Sequence, residues 1–325
     1  MKQPQDPIHI AFCVNDRYVP YITVTIKSIV ENHPHCDVDI HVLIDKISAS
    51  NRQRLAEAVS GCERARVHVY LVNDASLSGL RTGVWTIYTW YRILLPEILP
   101  AEVKKVLYLD ADTLVVTDLQ ELFATDMTDR SIAGSLDIQT LSSSTFERCG
   151  YDAAKKYVCA GVLLMNLDYW RRENLQQKLI DWANANYDRI AFADQDTINH
   201  ICQDSKIILP LRFNVMKVYL TEDLHTQPGF FEEVKACAYH PAIVHYGGFY
   251  PWVKFFATHP MQGDWERYNK MLRRPVRSVY IPRKWFFLKV IFWHILHPFD
   301  KRSLIRKQGR MTLDEVKLRL EAYES

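Results

Sequence analysis

The chain has 325 residues, of which 48% are hydrophobic and 24% charged. That balance excludes an intrinsically disordered or collagen-like polymer and suits one large globular domain or two ordinary ones. The formal charge of +2 is a cancellation: between Met271 and Arg310 eleven Lys/Arg face one acid, Asp300, a local +10 that leaves −8 on the remainder.

In chain order, Ile8–Val14 reads as a strand, Val19–Asn32 as a helix and Val38–Ile44 as a second strand. Ser48 then caps a helix running to Ser60, and Val67–Leu71 returns as a strand. Such alternation predicts a largely parallel sheet with helices on both faces and right-handed crossovers. Trp85–Leu95 reads as a helix ended by Pro96 and Pro100, and Ile132–Leu136 as a short strand ending at Asp137. Val158–Met165 reads as an apolar strand, Leu167–Ala185 as a helix, and Asp194–Cys202 as a helix with acids in its first turn. The first composition shift falls near Asn269, so residues 1–270 are expected to form one domain and 271–325 a basic amphipathic tail.

The strongest chemical signal is Val106-Leu107-Tyr108-Leu109-Asp110-Ala111-Asp112-Thr113. An apolar run of this kind suits a strand buried on both faces. Asp is a poor strand-interior residue, so the pair marks the strand's end, where α/β sheets place ligands. Two carboxylates there can hold Mg²⁺ or Mn²⁺ and leave positions for phosphate oxygens. From the short D-x-D pattern alone, a turn with two solvated aspartates is the commoner reading.

Four further segments matter. Cys13-Val14-Asn15-Asp16-Arg17-Tyr18 is a polar loop after the first strand, where a Tyr can stack on a base. Cys159-Ala160-Gly161-Val162-Leu163-Leu164-Met165-Asn166 is mostly core, with Gly161 permitting close approach. Asp194-Gln195-Asp196-Thr197-Ile198-Asn199 opens a helix; consecutive residues point about 100° apart, so at most one or two of them face a substrate. His245-Tyr246-Gly247-Gly248-Phe249-Tyr250-Pro251-Trp252 delivers a His from a strand, and its paired glycines let backbone approach an anion.

Together and in this order, these segments resemble the family-8 retaining glycosyltransferases, a family that includes bacterial lipopolysaccharide galactosyl- and glucosyltransferases and the glycogenins. The likeness runs from Ile8 to about Trp265. It implies an α/β fold of the GT-A type, a nucleotide-sugar-binding architecture with a mainly parallel central sheet, here followed by a basic aromatic helical tail. It further implies an enzyme that moves a hexose from a UDP-sugar to a glycan or lipid-linked acceptor, with Mn²⁺ or Mg²⁺ as cofactor. By resemblance, Asp110, Asp112 and His245 are the metal ligands, completed by the donor diphosphate. Asn15 and Tyr18 meet the uridine, with Cys13, Ala111 and Gly248 also around the donor, and Arg92 contacts its sugar and phosphate region. Asp137 and Asp194 bond sugar hydroxyls, Gln195 sits beneath the anomeric carbon, and Asp196 lies beside it. Three positions depart from the family pattern. Asn15 replaces an Asp, Cys159 replaces an Asn, and the His245 motif is one residue shorter, with Tyr250 where a lysine normally precedes the Pro. Lys254 or the basic tail is the expected substitute for that lysine, unless leaving-group stabilisation rests more heavily on the metal.

Two other classes compete. A non-catalytic nucleotide- or glycan-binding protein would retain the same motifs without turnover. A nucleotidyltransferase would carry a Gly-rich loop after the first strand, and Cys13–Tyr18 has no glycine.

Seven scattered cysteines without a C-x-x-C pair suggest neither a zinc site nor a disulfide framework, and fit a reducing compartment. Met1–Pro7 has no apolar h-region, so no signal peptide is expected. The uncharged runs between Tyr280 and Phe299 are shorter than the roughly 20 residues that cross a bilayer. Interspersed Lys/Arg and clustered Trp/Phe suit a helix lying on the cytoplasmic face of an anionic membrane. The aromatics are clustered rather than interleaved with charge, which disfavours nucleic acid.

Overall fold

The computed structural model describes residues 7–138, 143–254, 257–279 and 311–324. Among the described residues ten strands form two sheets. β1 (Ile8–Cys13), β2 (Val38–Ile44), β3 (Ala65–Leu71), β4 (Lys105–Leu109), β6 (Ile132–Ser135), β7 (Val162–Asn166) and β8 (Lys206–Leu209) make a seven-stranded sheet in the order β3-β2-β1-β4-β7-β6-β8. β5 (Thr113–Val115), β9 (Val215–Met216) and β10 (Ile243–His245) make a small second sheet in the order β5-β10-β9. In the large sheet β7 runs antiparallel to β4 and β6, and the other pairings are parallel. This is the GT-A-like architecture that the motifs implied.

Alternation explains the burial. Ile8, Ile10 and Phe12 of β1 join one core, together with Val24 and Ile26 of the helix Val19–Asn32. Ala11 and Cys13 point to the other core, with Trp90 and Tyr91. The helix Ala49–Ala58 begins at Ser48, whose hydroxyl accepts from the Asn51 N–H at 3.3 Å.

Three expected elements differ from those found. The stretch after Trp85 is a 3₁₀ helix, Ile87–Leu94, that gives way to a short α-turn at Leu95–Ile98. Pro96 has no N–H to close an α bond onto the Arg92 carbonyl, so Leu95 closes the tighter one. The expected helix Leu167–Ala185 is two, Leu167–Arg172 and Leu175–Ala185, parted by Asn174 in the left-handed region (φ 50°). The strand expected from Val158 begins only at Val162. Before it, side chains of the helix Ala193–Ile201 capture backbone: Asn199 Oδ1 accepts from the Val158 N–H and Gln195 Oε1 from the Ala160 N–H, both at 2.8 Å.

The end of the expected tail is docked on the body. Thr312 and Glu315 form a capping box for the helix Leu313–Glu324, which buries Val316 and Leu320. It meets the helix Phe231–Tyr239 through Lys235–Glu324 at 2.7 Å and Tyr239–Glu321 at 2.8 Å. The aromatic segment Pro282–Pro298 lies outside the described residues. Among the described residues no helix is long and apolar enough to cross a membrane. All seven cysteines are free thiols.

Candidate active site

β4 ends at Leu109, and the two aspartates follow on a turn that β5 continues. The Asp110 N–H donates to the Gly161 carbonyl at 2.8 Å, which ties this turn to the start of the antiparallel β7. Tyr108 lies two residues before Asp110, on the same face of the chain. Its hydroxyl donates to Asp110 Oδ1 at 2.6 Å, and Arg92 Nη2 reaches the same oxygen at 3.2 Å. With Oδ1 held, Oδ2 turns toward His245, delivered by β10, whose Nε2 lies 4.0 Å from it and 3.5 Å from Asp112 Oδ1. Asp112 Oδ2 accepts from the Gly248 N–H at 3.3 Å.

Asp110, Asp112 and His245 each offer a ligand atom within 4.8 Å of the others, the one such group among the described residues. Two carboxylates and an imidazole are a donor set for a divalent cation of the Mn²⁺ class. Two observations support the fit. His245 Nδ1 lies 2.9 Å from Asn214 Oδ1; a proton on Nδ1 makes that bond and leaves Nε2 free to ligate. A Cβ on Gly161 would lie 2.3 Å from His245 Cε1 and 2.8 Å from Asp110 Oδ2, so the glycine keeps the space between the ligands open. Burial acts to lower the His245 pKa, but Asp112 overcomes it and drives the imidazole well above its ordinary value. Bringing two acids beside a buried imidazole thus creates a place where positive charge is favoured.

The second cluster comes from the helix Ala193–Ile201. Ala193 adopts φ 45°, an unfavourable backbone for a residue with a Cβ, immediately before the two residues that face the cleft. Asp194 is 2% exposed, and burial, with Asp110 nearby, raises its pKa to about 6 although Arg92 pulls the other way. Arg92 Nε is 2.9 Å from Asp194 Oδ2, yet its N–H donates to the Thr89 carbonyl at 2.9 Å. Asp194 borders the cleft, while its Oδ2 is buried in an ion contact with Arg92 but without an aligned donor. Gln195 is locked at both ends, its Nε2 donating to Asp137 Oδ2 at 3.0 Å and its Oε1 accepting from Ala160.

These groups line one cleft with a cavity volume of about 570 Å³. Cys13, Asn15, Tyr18, Arg92, Asp110, Ala111, Asp112, Asp137, Asp194, Gln195, His245 and Gly248 all border it. Two expected residues do not. Asp196 is fully buried on another face of its helix, where it accepts from Arg148, from the Tyr157 hydroxyl at 2.7 Å and from the backbone N–H groups of Ala191 and Phe192. Its place is structural, as the 100° step between helical residues requires. Lys254 also lies off the cleft, two residues beyond the buried Trp252, with its backbone N–H on the Val279 carbonyl at 3.1 Å.

The sequence reading missed several contributors. Tyr108 was legible from its two-residue spacing to Asp110. Asn214, Trp85, Tyr88 and Phe192 gave no comparable signal, because only the fold brings their segments to the cleft or its ligands.

The chain is similar to several known proteins. It is 30% identical over 214 residues to a putative glycosyltransferase of Haemophilus influenzae, covering 64% of this chain and 63% of that protein. It is 25% identical over 222 residues to a lipopolysaccharide 1,2-glucosyltransferase of Escherichia coli, covering 67% and 65%. The match thus spans a little under two thirds of either relative's length. Among solved structures, the galactosyltransferase LgtC in complex with donor and acceptor sugar analogues superposes with a TM-score of 0.73 at 28% identity, covering 86% of this chain and 99% of that one. The sequence model described as glycosyl transferase family 8 matches residues 9–255, a span that holds both aspartates of the D-x-D, the Asp194–Gln195 pair and His245, and the chain belongs to that family.

Proposed function

We propose that the protein transfers a hexose, galactose or glucose, from a UDP-sugar to a hydroxyl of a glycan or lipid-linked acceptor, with retention at the anomeric carbon. The observation that carries this reading is the convergence of Asp110, Asp112 and His245 with Asp137, Asp194 and Gln195 on a single cleft. Held by the first three residues, Mn²⁺ or Mg²⁺ would supply Lewis-acid charge compensation to the diphosphate. Asn15 and Tyr18 border the end of the cleft nearest β1 and are the groups suited to the uridine. Asp194 borders the same cleft as a carboxylate acceptor for a sugar hydroxyl. Gln195, fixed by Asp137 and Ala160, offers a preorganised amide dipole toward positive charge developing at the anomeric carbon. An amide oxygen is a weak nucleophile, which favours same-face attack over double displacement.

The deciding experiment is a screen of sugar nucleotides for UDP release with Mn²⁺ and Mg²⁺, followed by product analysis on free and lipid-linked acceptors. Anomeric configuration in the product tests retention. UDP binding without any glycoside formed would leave a nucleotide- or glycan-binding protein instead.

Relatives named as lipopolysaccharide glucosyl- and galactosyltransferases support a role in envelope glycan assembly. The basic aromatic composition of residues 280–299 supports peripheral attachment to the cytoplasmic face of an anionic membrane. Flotation of the full chain with liposomes should rise with anionic lipid and weaken with salt; indifference to anionic lipid would remove that attachment.

A further inference from the structure

Gln195 and Asn199 stand four residues apart in the helix Ala193–Ile201 and so share one of its faces. That face meets Tyr157–Ala160, the segment that leads into β7. The hydrogen bonds of this segment alternate between two edges. On one edge the Asp137 N–H donates to the Tyr157 carbonyl at 3.0 Å, and the Cys159 N–H donates to the Ser135 carbonyl at 2.9 Å. On the other edge the Asn199 side chain takes both polar groups of Val158. Its Oδ1 accepts from the Val158 N–H and its Nδ2 donates to the Val158 carbonyl, each at 2.8 Å. Gln195 Oε1 then accepts from the Ala160 N–H at 2.8 Å. The pattern is that of a strand whose second neighbour is a pair of amide side chains instead of backbone.

The four-residue spacing makes two amides sufficient. Four helical residues rise about 6 Å, and two residues of extended chain advance about 6.6 Å. Asn199 therefore reaches Val158 where Gln195 reaches Ala160. Asn199 also closes on its own helix, its Nδ2 donating to the Gln195 backbone carbonyl at 2.9 Å. One buried side chain thus joins the backbone that carries Gln195 to the backbone that Gln195 bonds. Three groups of the cleft hang on the same segment: Asp137 on the Tyr157 carbonyl, Gln195 on the Ala160 N–H, and the Arg92 guanidinium on the Ala160 carbonyl.

For the hexose transfer proposed above, on which this rests, we infer that Asn199 is a positioning residue: its grip on Val158 and on the Gln195 backbone fixes the Gln195 carboxamide in the cleft. Asn199 lies behind the cleft wall and acts through the Ala160 N–H. With its amide bonds gone, Tyr157–Ala160 is free to shift along the helix, and the Gln195 amide loses the anchor that aims it.

Asn199→Asp is the test. It keeps the shape and the acceptor for the Val158 N–H, but brings no hydrogen to the Val158 and Gln195 carbonyls. Lys206 Nζ, 3.4 Å from Asn199 Oδ1, stands ready as a counter-charge for the new carboxylate. The variant should lower kcat about tenfold, no further than Gln195→Ala does, with donor KM within about threefold. The double variant Gln195→Ala/Asn199→Asp should be no slower than Gln195→Ala alone, because Asn199 acts through that residue. Losses that multiply would make Asn199 a structural residue of the helix and overturn the assignment. Hydrogen exchange gives a readout that needs no turnover. In Asn199→Asp the Ala160 amide should exchange about fivefold faster or more, while the β7 amides of Val162–Asn166 keep their protection. Wild-type protection at Ala160, or loss of protection throughout β7, would equally overturn it. If the aspartate variant does not fold, Asn199→Ser takes its place in both measurements. Should the wild-type protein turn over no sugar nucleotide, the transfer reading falls, while exchange at Ala160 still decides whether Asn199 sets its contact with Gln195.

Discussion

Replacing Gly161 with alanine is the sharpest probe of the proposed metal site, because it leaves every ligand chemically intact. Gly161 does not lie in the left-handed region, so the backbone itself tolerates alanine; only space forbids it. The new Cβ would sit 2.3 Å from His245 Cε1, against an ordinary contact of 3.4 Å or more. The imidazole must therefore retreat by about 1.1 Å, far beyond the ~0.2 Å tolerance of a ligand bond. Asp110 Oδ2, 2.8 Å from the same Cβ, is displaced as well. Disturbing only the partners behind a ligand weakens metal binding ~10–100-fold, so displacing two ligands should cost on the order of 100-fold or more. Titration of Mn²⁺ by calorimetry reads this directly. Gly134→Ala is the control: its Cβ would meet the Leu163 side chain at 2.9 Å, at a similar overpacking cost of about 1–3 kcal/mol, but remote from the ligands. A folded Gly161→Ala protein with wild-type Mn²⁺ affinity would refute the assignment of Asp110, Asp112 and His245.

Three other outcomes are expected. Gln195→Ala should lower kcat by at least about tenfold with UDP affinity nearly unchanged, the signature of a contact made chiefly in the transition state; loss of UDP affinity alone, measured by calorimetry, would make Gln195 a donor-binding residue. Asp196→Ala should destabilise the fold by about 3 kcal/mol, since it strands Arg148 and Tyr157, while kcat per folded molecule stays within about threefold. Burial alone would raise the Asp196 pKa, but Arg148 and the Phe192 N–H hold it below 3.8, so this stability is present at neutral pH and is lost as pH falls through the folded value; denaturant melts at pH 7 and pH 3 check it. Asp194 has the opposite sign: with its pKa raised from 3.8 to about 6, its ionisation opposes folding above that range and not below it. In chelator, the stability of Asp194→Asn relative to wild type should therefore rise by up to about 3 kcal/mol between pH 4 and pH 6, and a flat difference would show that Asp194 is not held in this way.

The early strands and helices were legible because one physical cause governs each of them. β2 is buried along its whole length and carries Val38, Ile40, Val42 and Ile44 at alternate positions, and Ser48 announces its helix by its side-chain cap. The D-x-D turn was legible because two acids cannot continue a buried strand. What stayed hidden was set by partners distant in the chain. Nothing local announces that Asn214 will orient His245, 31 residues on. Nor does local sequence show that Gln195 and Asn199 will take the N–H groups of Ala160 and Val158 and so shorten β7. Asp196 looked catalytic by adjacency to Gln195; its tertiary partners, Arg148 and Tyr157, assign it to structure instead.

The reversed direction of β7 has a consequence for how such an enzyme can diversify. β6 runs parallel to β4 and β7 runs against both, so the exit of β6 at Ser135 and the entry of β7 at Val162 open on the same edge as the D-x-D turn. The whole excursion between them leaves from the cleft and returns to it. Apart from Arg148 and Tyr157, which hold Asp196, its length and composition can drift without shifting a rung of either ladder, while the residues at its two feet, Asp137 and Gly161, stay in place. Variation there changes the chain that runs beside the cleft, while the residues held by the β4–β7 ladder keep their geometry.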